Sequence, residues 1–193
     1  MKKQLLVIIS SPSGGGKDSV INALLKRLSR TTRLVTTTTR PPRPGNQEGV
    51  DYYFISPETF KTKLVAGDFL EHNVYAGNYY GEEKKELERC FKDNDVVLTQ
   101  IDVTGKHALD RLAVPHLSIF LVPESLDILK ARIEKRGGIT PEVIAERLAI
   151  AKREIEESSD YDYRIINVDG ALEQTIKKIA KIITSRLEDS RKA

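Results

Sequence analysis

Residues 5–19 read Leu5-Leu6-Val7-Ile8-Ile9-Ser10-Ser11-Pro12-Ser13-Gly14-Gly15-Gly16-Lys17-Asp18-Ser19, and the reading of this stretch decides the fold. An unbroken apolar run ending in β-branched residues is what a strand buried on both faces of a parallel sheet requires. Successive glycines then make a turn. From Lys17 the apolar spacing becomes helical, through Val20, Leu24, Leu25 and Leu28. Strand, glycine loop and helix in that order suit a phosphate. Glycines let backbone N–H groups converge on phosphate oxygens, the helix N-terminus adds positive potential, and the lysine reaches the terminal phosphates. Ser13, Gly14, Gly15, Gly16, Lys17, Asp18 and Ser19 are therefore candidates for holding a triphosphate. The strict pattern G-x4-G-K-[ST] is departed from twice, with Ser11 at the first glycine and Asp18 at the metal-binding hydroxyl. A carboxylate beside a triphosphate calls for a cation. Either Asp18 holds magnesium, directly or through water, or Ser19 supplies the hydroxyl after a local shift.

Outward from this loop, strands alternate with helices. Strands are expected over 33–39, 52–55, 95–102, 117–122 and 163–167, with a strand-rich stretch over 71–81. Ser56 and Pro57 open a helix whose Phe60, Leu64 and Val65 are read as one face. Leu87 and Phe91 mark another helix, with Cys90 beside them. Further helices are expected over 124–136, stopped by Gly137-Gly138, over 141–157 and over 171–187. Residues 40–51 read as a loop. The class is α/β, with a mostly parallel sheet flanked by helices.

The chain has 193 residues, 39% hydrophobic and 31% charged, which suits one domain with a buried core. The formal net charge is +3 with no dense basic tract, so no nucleic-acid partner is expected. No stretch is long enough to span a membrane. The lone Cys90 offers neither an internal disulfide nor a zinc set, which fits a reducing, cytoplasmic setting. His72, His107 and His116 read as surface or packing residues.

A second informative stretch is Thr36-Thr37-Thr38-Thr39-Arg40-Pro41-Pro42-Arg43-Pro44-Gly45. Its two guanidiniums sit on a proline-stiffened loop and suit a dianionic phosphate. From Thr36 through Phe54 the chain resembles guanylate kinases, whose pattern S/T-x-T-T-R-x-P-R-x-G-E-x-x-G-x-x-Y-x-F is met at Arg40, Arg43, Gly49, Tyr52 and Phe54. Asn46 stands where that family has Glu. Phe69-Leu70-Glu71 and Gly77-Asn78-Tyr79-Tyr80-Gly81 match two further family segments, and the resemblance runs from Leu5 to about Ile183.

The resemblance implies a P-loop kinase over 1–193, with a core (1–35 and 94–193), a GMP-binding insert (about 36–93) and a lid (about 136–150). It implies transfer of a phosphoryl group from ATP to GMP, and also to dGMP, in line and with Mg2+. Arg40, Arg43, Tyr52 and Tyr80 would hold the acceptor phosphate, Thr36 would lie near O6, and Glu71 would read guanine. The chemistry agrees, because guanine presents N1–H and its 2-amino group as adjacent donors to a carboxylate. Asp102 would orient magnesium or touch the guanine amino group, or else cap the following segment. Lys17, Arg132, Arg136 and Arg147 would clamp the transferring group. Gly137-Gly138 would hinge the lid, and Asn167 would lie near the adenine.

Three positions depart from the family pattern: Glu82 in place of Ser or Thr, Gln100 in place of the first acid of D-x-D, and Val168 in place of an acid. Two rival readings follow from the same residues. One is a ribose 1,5-bisphosphate kinase, suggested by Gly16-Lys17-Asp18-Ser19. The other is a non-catalytic phosphopeptide-binding module. A monomer and a homo-oligomer are both compatible with the sequence.

Overall fold

The computed structural model describes residues 4–75, 77–135 and 140–192. The chain runs β1 (Leu5–Ser10), α1 (Lys17–Arg27), β2 (Thr31–Arg33), β3 (Thr37–Thr38), β4 (Tyr53–Phe54), α2 (Pro57–Val65), β5 (Phe69–Tyr75), β6 (Asn78–Glu83) and α3 (Lys84–Asp93). It continues through β7 (Val96–Thr99), α4 (Val103–Arg111), β8 (Leu117–Pro123), α5 (Leu126–Lys135), α6 (Pro141–Glu157), β9 (Tyr163–Asn167) and α7 (Leu172–Lys192), with one turn of 3-10 helix at Ser158–Asp160.

Five strands form a parallel sheet in the order β2-β7-β1-β8-β9. β1 lies at its centre because it is apolar on both faces. Alternation sends Val7 and Ile9 one way, against Val20, Ile21 and Leu24 of α1 and Ile176, Ile179 and Ile183 of α7. Leu6 and Ile8 go the other way, against Cys90 of α3 and Leu109 of α4. α5 and α6 pack on each other through Leu129, Ile133, Ile144 and Ala151.

A second sheet, ordered β4-β3-β6-β5, is built on the antiparallel β5–β6 hairpin. Its small core is aromatic. Phe60 of α2 stacks on Phe69 at 4.3 Å and on Tyr79 at 5.2 Å between ring centroids. Ser56 caps α2, its Oγ accepting from Thr59 N–H at 3.2 Å.

Four expectations need correction. The single strand read over 33–39 is two strands in different sheets. Arg33 pairs with Leu98 in the parallel sheet, whereas Thr37 pairs with Tyr53 and Gly81 in the second. A β-branched run favours extended backbone without saying which neighbour it will meet. Val65 does not share the face of Phe60 and is 91% exposed. Five positions along a helix turn a side chain about 140° away, so only Leu64 follows Phe60 inward. Helix α4 is absent from the expected elements, although the helix-cap reading of Asp102 implies one there; it buries only Val103 and Leu109 as large apolar side chains, which leaves periodicity little to mark. Helix α7 runs on to Lys192, beyond the expected end. The expected helix stop at Gly137-Gly138 lies outside the described residues. No helix among the described residues is long and apolar enough to cross a membrane.

Phe60 is fully buried in the aromatic stack, so Phe60→Ala leaves a cavity there. It is expected to lower the free energy of unfolding by about 3–5 kcal/mol, measured by urea titration. A loss below about 1 kcal/mol would show that the second sheet holds without the stack.

Candidate active site

The glycine loop follows β1 at the carboxyl edge of the parallel sheet. Gly14 and Gly16 have φ of +88° and +95°, the left-handed region that glycine adopts at least cost. Gly15 is needed for another reason: a Cβ there would lie 2.5 Å from Ser11 Oγ. Gly15 N–H donates to Pro12 O at 2.9 Å, and Asn167 at the end of β9 donates its amide hydrogen to Gly15 O at 2.9 Å. Asn167 thus pins the loop from the far strand. Lys17 Nζ donates to Ser11 O, folding its ammonium back over the loop. Gly16 begins α1 with no side-chain cap, so the loop and first-turn N–H groups are presented as an anion cradle.

Asp18 and Gln100, which both depart from the family pattern, meet in space. With its amide oriented so that each end faces a proper partner, Gln100 donates to Asp18 Oδ1 at 3.0 Å and accepts from Arg33. Arg33 NH2 stands 3.8 Å from the same Asp18 oxygen. Sequence reasoning missed Arg33, because an arginine at a strand end carries no spacing signal. Asp18 and Ser19 remain largely exposed at the mouth of the loop.

Across the cleft, Glu71 on β5 and Glu82 on β6 are register partners. They are 6% and 1% exposed. Glu82 Oε1 accepts from Thr99 Oγ1 at 2.8 Å and from Thr36 Oγ1 at 3.0 Å. Glu82 Oε2 is buried with no hydrogen-bond partner among the described residues. Burial, with the facing charges of Glu82 and Asp102, pushes the Glu71 carboxyl up to about 9. Burial also raises Glu82, to about 7, while the hydrogen bonds from Thr99 and Thr36 and the charge of Arg33 hold it down. Asp102 caps α4, its Oδ1 accepting from Gly105 N–H at 2.8 Å, and its Oδ2 accepts from the Asn73 amide at 2.6 Å. The capping alternative for Asp102 is therefore realised. Gly105 lies so close beneath Glu71 that a Cβ there would sit 2.8 Å from Glu71 Oε2.

The arginine loop is organised by Asn46. Its Oδ1 accepts from Arg40 NH2 at 3.0 Å and from Arg43 N–H at 2.9 Å, so a side-chain amide ties the loop. The Arg40 guanidinium lies 5.3 Å from the Tyr52 ring centroid, and Tyr52 meets Tyr80 edge-on at 6.1 Å. Arg43 is exposed.

One cavity of about 380 Å³ joins the two halves. The glycine loop, Lys17, Asp18 and Ser19 line one end; Thr36, Tyr52, Glu71, Tyr80 and Asp102 line the other; Arg147 and Glu154 of α6 close the side. Glu154 is a second residue that the sequence reading missed. Burial raises its carboxyl to about 7 against the opposing charge of Lys17. Arg40, Arg43 and Arg132 do not line this cavity. Arg132 instead donates to Asp169 Oδ1 at 2.7 Å. Arg136 lies outside the described residues.

Comparison with known proteins places this geometry in a lineage. Residues 3–186 match the family model described as guanylate kinase. A guanylate kinase of Coxiella burnetii is 39% identical over 185 residues, covering 96% of this chain and 89% of its own length. One of Hahella chejuensis is 42% identical over 176 residues, covering 90% and 85%. The crystal structure of guanylate kinase from Anaplasma phagocytophilum superposes with a TM-score of 0.76 at 30% identity, covering 97% of this chain and 88% of that one.

The raised Glu71 carboxyl has a consequence for stability. The folded chain keeps this proton up to about pH 9, whereas the unfolded chain gives it up near the ordinary value of 4.5. The unfolded state binds fewer protons across that window. The contribution is therefore whole below 4.5 and is lost as pH rises through about 9. Urea midpoints of the ligand-free protein are expected to fall between pH 6 and 8.5, and Glu71→Gln to flatten that fall. Parallel slopes for the two proteins would refute the assignment.

Proposed function

Because the chain belongs to the guanylate kinase family, we propose that its cleft holds ATP over the glycine loop and GMP over the β5–β6 hairpin, and passes the γ-phosphoryl group in line between them. Family membership makes the chain a nucleoside monophosphate kinase with guanylate kinase activity. The single observation supporting this placement of the substrates is the continuous cavity running from Lys17 to Glu71. The relatives span nearly the whole chain and are guanylate kinases, so neither a ribose 1,5-bisphosphate kinase nor a non-catalytic phosphopeptide module is favoured.

In this reading, backbone N–H groups of 13–19 take the β-phosphate, and Lys17 leaves the Ser11 carbonyl for the β–γ oxygens. Asn167 keeps the loop in shape beside the adenosine moiety. Glu71, ionised in the complex, accepts N1–H and the 2-amino hydrogen of guanine, with Asp102 beside the amino group and the Thr36 hydroxyl towards O6. Tyr52 and Tyr80 donate their phenol hydrogens to the acceptor phosphate, and Arg40 and Arg43 swing in from the Asn46-tied loop. Arg147, with Arg132 and Arg136, gathers around the transferring group as a lid over about 136–150 closes on the core and on the insert of about 36–93. Converging guanidiniums stabilise the charge spread over the equatorial oxygens, and closure excludes water. No covalent enzyme intermediate is needed.

The oxygen donors at the first turn of α1 suit a hard cation. Asp18 and Ser19 are exposed beside the cradle, with Asp18 Oδ1 held by Gln100 and near Arg33, while both Asp102 oxygens already have protein partners. Asp18 and Ser19 are thus the residues that would hold magnesium, which supplies charge neutralisation at the phosphates when bound with ATP. dGMP serves as a second acceptor, and the enzyme works in the cytoplasm.

Glu71→Gln is expected to raise KM for GMP about 10- to 100-fold, because a buried acceptor becomes a mismatched donor. KM for ATP stays put, and AMP remains a poor acceptor for the wild type. Equal use of AMP and GMP would defeat the role of Glu71. Chelation of divalent cations stops turnover, and Asp18→Ser shifts the magnesium concentration giving half-maximal rate. An unchanged magnesium dependence would remove Asp18 from the cation's surroundings.

A further inference from the structure

We propose that Glu82 is a positioning residue of the base site: when guanine binds, Glu82 takes the proton that leaves Glu71, so that Glu71 becomes the charged member of the pair and the Thr36 hydroxyl hydrogen is freed for O6. This rests on the assignment of Glu71 and Thr36 to guanine made above.

Glu71 and Glu82 face each other across the antiparallel hairpin, and both are buried. The pair lies just past a register shift in β5 between Phe69 and Glu71, and the charge of Glu82 bears on Glu71. Two carboxylates so placed do not both ionise cheaply. Glu82 is moreover only half satisfied as an anion, with two hydroxyls on Oε1 and none on the buried Oε2. An orphaned oxygen of a buried carboxylate favours the neutral acid.

The acidic neighbours of Glu82 favour its neutral form, and one cation opposes them. Glu71 faces it from β5 and Glu86 from α3, and Glu86 is itself engaged by Arg89 at 2.7 Å. The Cys90 thiol of α3, pushed up to about 12 by burial, is uncharged. Arg33 from β2 is the cation that favours ionised Glu82, and it is shared with Gln100 and Asp18.

In the ligand-free protein Glu82 accepts from two hydroxyls, whereas Glu71 is buried against the charges of Glu82 and Asp102, so the proton of the pair rests on Glu71. Guanine cannot use that form, because a neutral Glu71 offers one acceptor oxygen where two donors arrive. Binding therefore breaks the O–H bond of Glu71 and forms one on Glu82 Oε1. The pair's proton count and total charge are the same before and after, and no proton goes to solvent. The new Glu82 O–H donates to Thr36 Oγ1, reversing the bond seen in the ligand-free protein. The Thr36 hydrogen then points into the cleft, which Thr36 lines, while Thr99 still donates to Oε1. A serine or threonine at position 82 has no carboxyl proton to exchange in this way.

The test is a carbon-13 NMR measurement on the full-length protein with labelled glutamate, the Glu82 side-chain carboxyl carbon being assigned through its own backbone. At pH 8 without ligand, Glu82 is expected to give the carboxylate shift; with saturating GMP it moves to the neutral-acid shift while Glu71 moves the opposite way. Calorimetry of GMP binding at pH 8, in two buffers of unlike ionisation enthalpy, is expected to give coinciding heats. In Glu71→Gln, GMP affinity falls and the Glu82 signal no longer responds. A Glu82 that stays a carboxylate in the GMP complex, or a proton released to buffer, overturns the proposal even where Glu71→Gln weakens GMP. An undiminished GMP affinity in Glu71→Gln overturns the base-site assignment and the proposal with it.

Discussion

The burial of β1 on both faces is the constraint on which the rest of the molecule depends. A strand with Leu6, Val7, Ile8 and Ile9 all inside must sit at the centre of a sheet with helices on each side. Its neighbours β7 and β8 are both parallel to it. All carboxyl ends therefore open on one edge, and whatever follows each strand is gathered there. That is why the glycine loop after β1, Gln100 and Asp102 after β7, and Asn167 at the end of β9 become neighbours although they lie far apart in the chain.

The cleft is electrostatically divided, and the division follows from the two sheets. The parallel sheet supplies backbone N–H groups and an ammonium, which suit phosphate. The antiparallel hairpin supplies buried carboxyls, which suit a base that presents donors. Phosphoryl transfer needs little from the protein beyond positioning and charge compensation, so a cradle facing a hydrogen-bonding pocket is sufficient equipment. The acids on the hairpin are costly where they stand. Both are buried, so the fold holds them inside despite the loss of solvation, which is common where a site is built for a ligand.

Several departures from the family pattern that look like losses along the chain are paired in space. The acid missing at position 100 and the acid added at position 18 are joined by a hydrogen bond and share Arg33. Asn46 keeps Arg40 and Arg43 on a common acceptor without a carboxylate. Glu82 has gathered Thr36 and Thr99 around it. In each case a polar group has at least one partner across the fold, although Glu82 Oε2 has none among the described residues.

Local patterns were enough for much of the molecule. The switch from an apolar run to helical spacing at Lys17 fixed the strand, loop and helix of the cradle. The capping pair Ser56-Pro57 fixed the start of α2, and periodicity gave α6 and β9 their observed bounds. These features depend on neighbours within a turn or two of backbone, so sequence carries them. The split of residues 33–39 between two sheets, the polar helix α4, the turning of Val65 to solvent and the meeting of Arg33 with Asp18 were decided only by tertiary structure. So were the insertion of Glu154 beside Lys17 and the facing of Glu71 by Glu82. Strand pairing and charge proximity depend on which distant segments pack together, and burial sets how strongly those charges act. Neither is encoded in any short stretch of the chain.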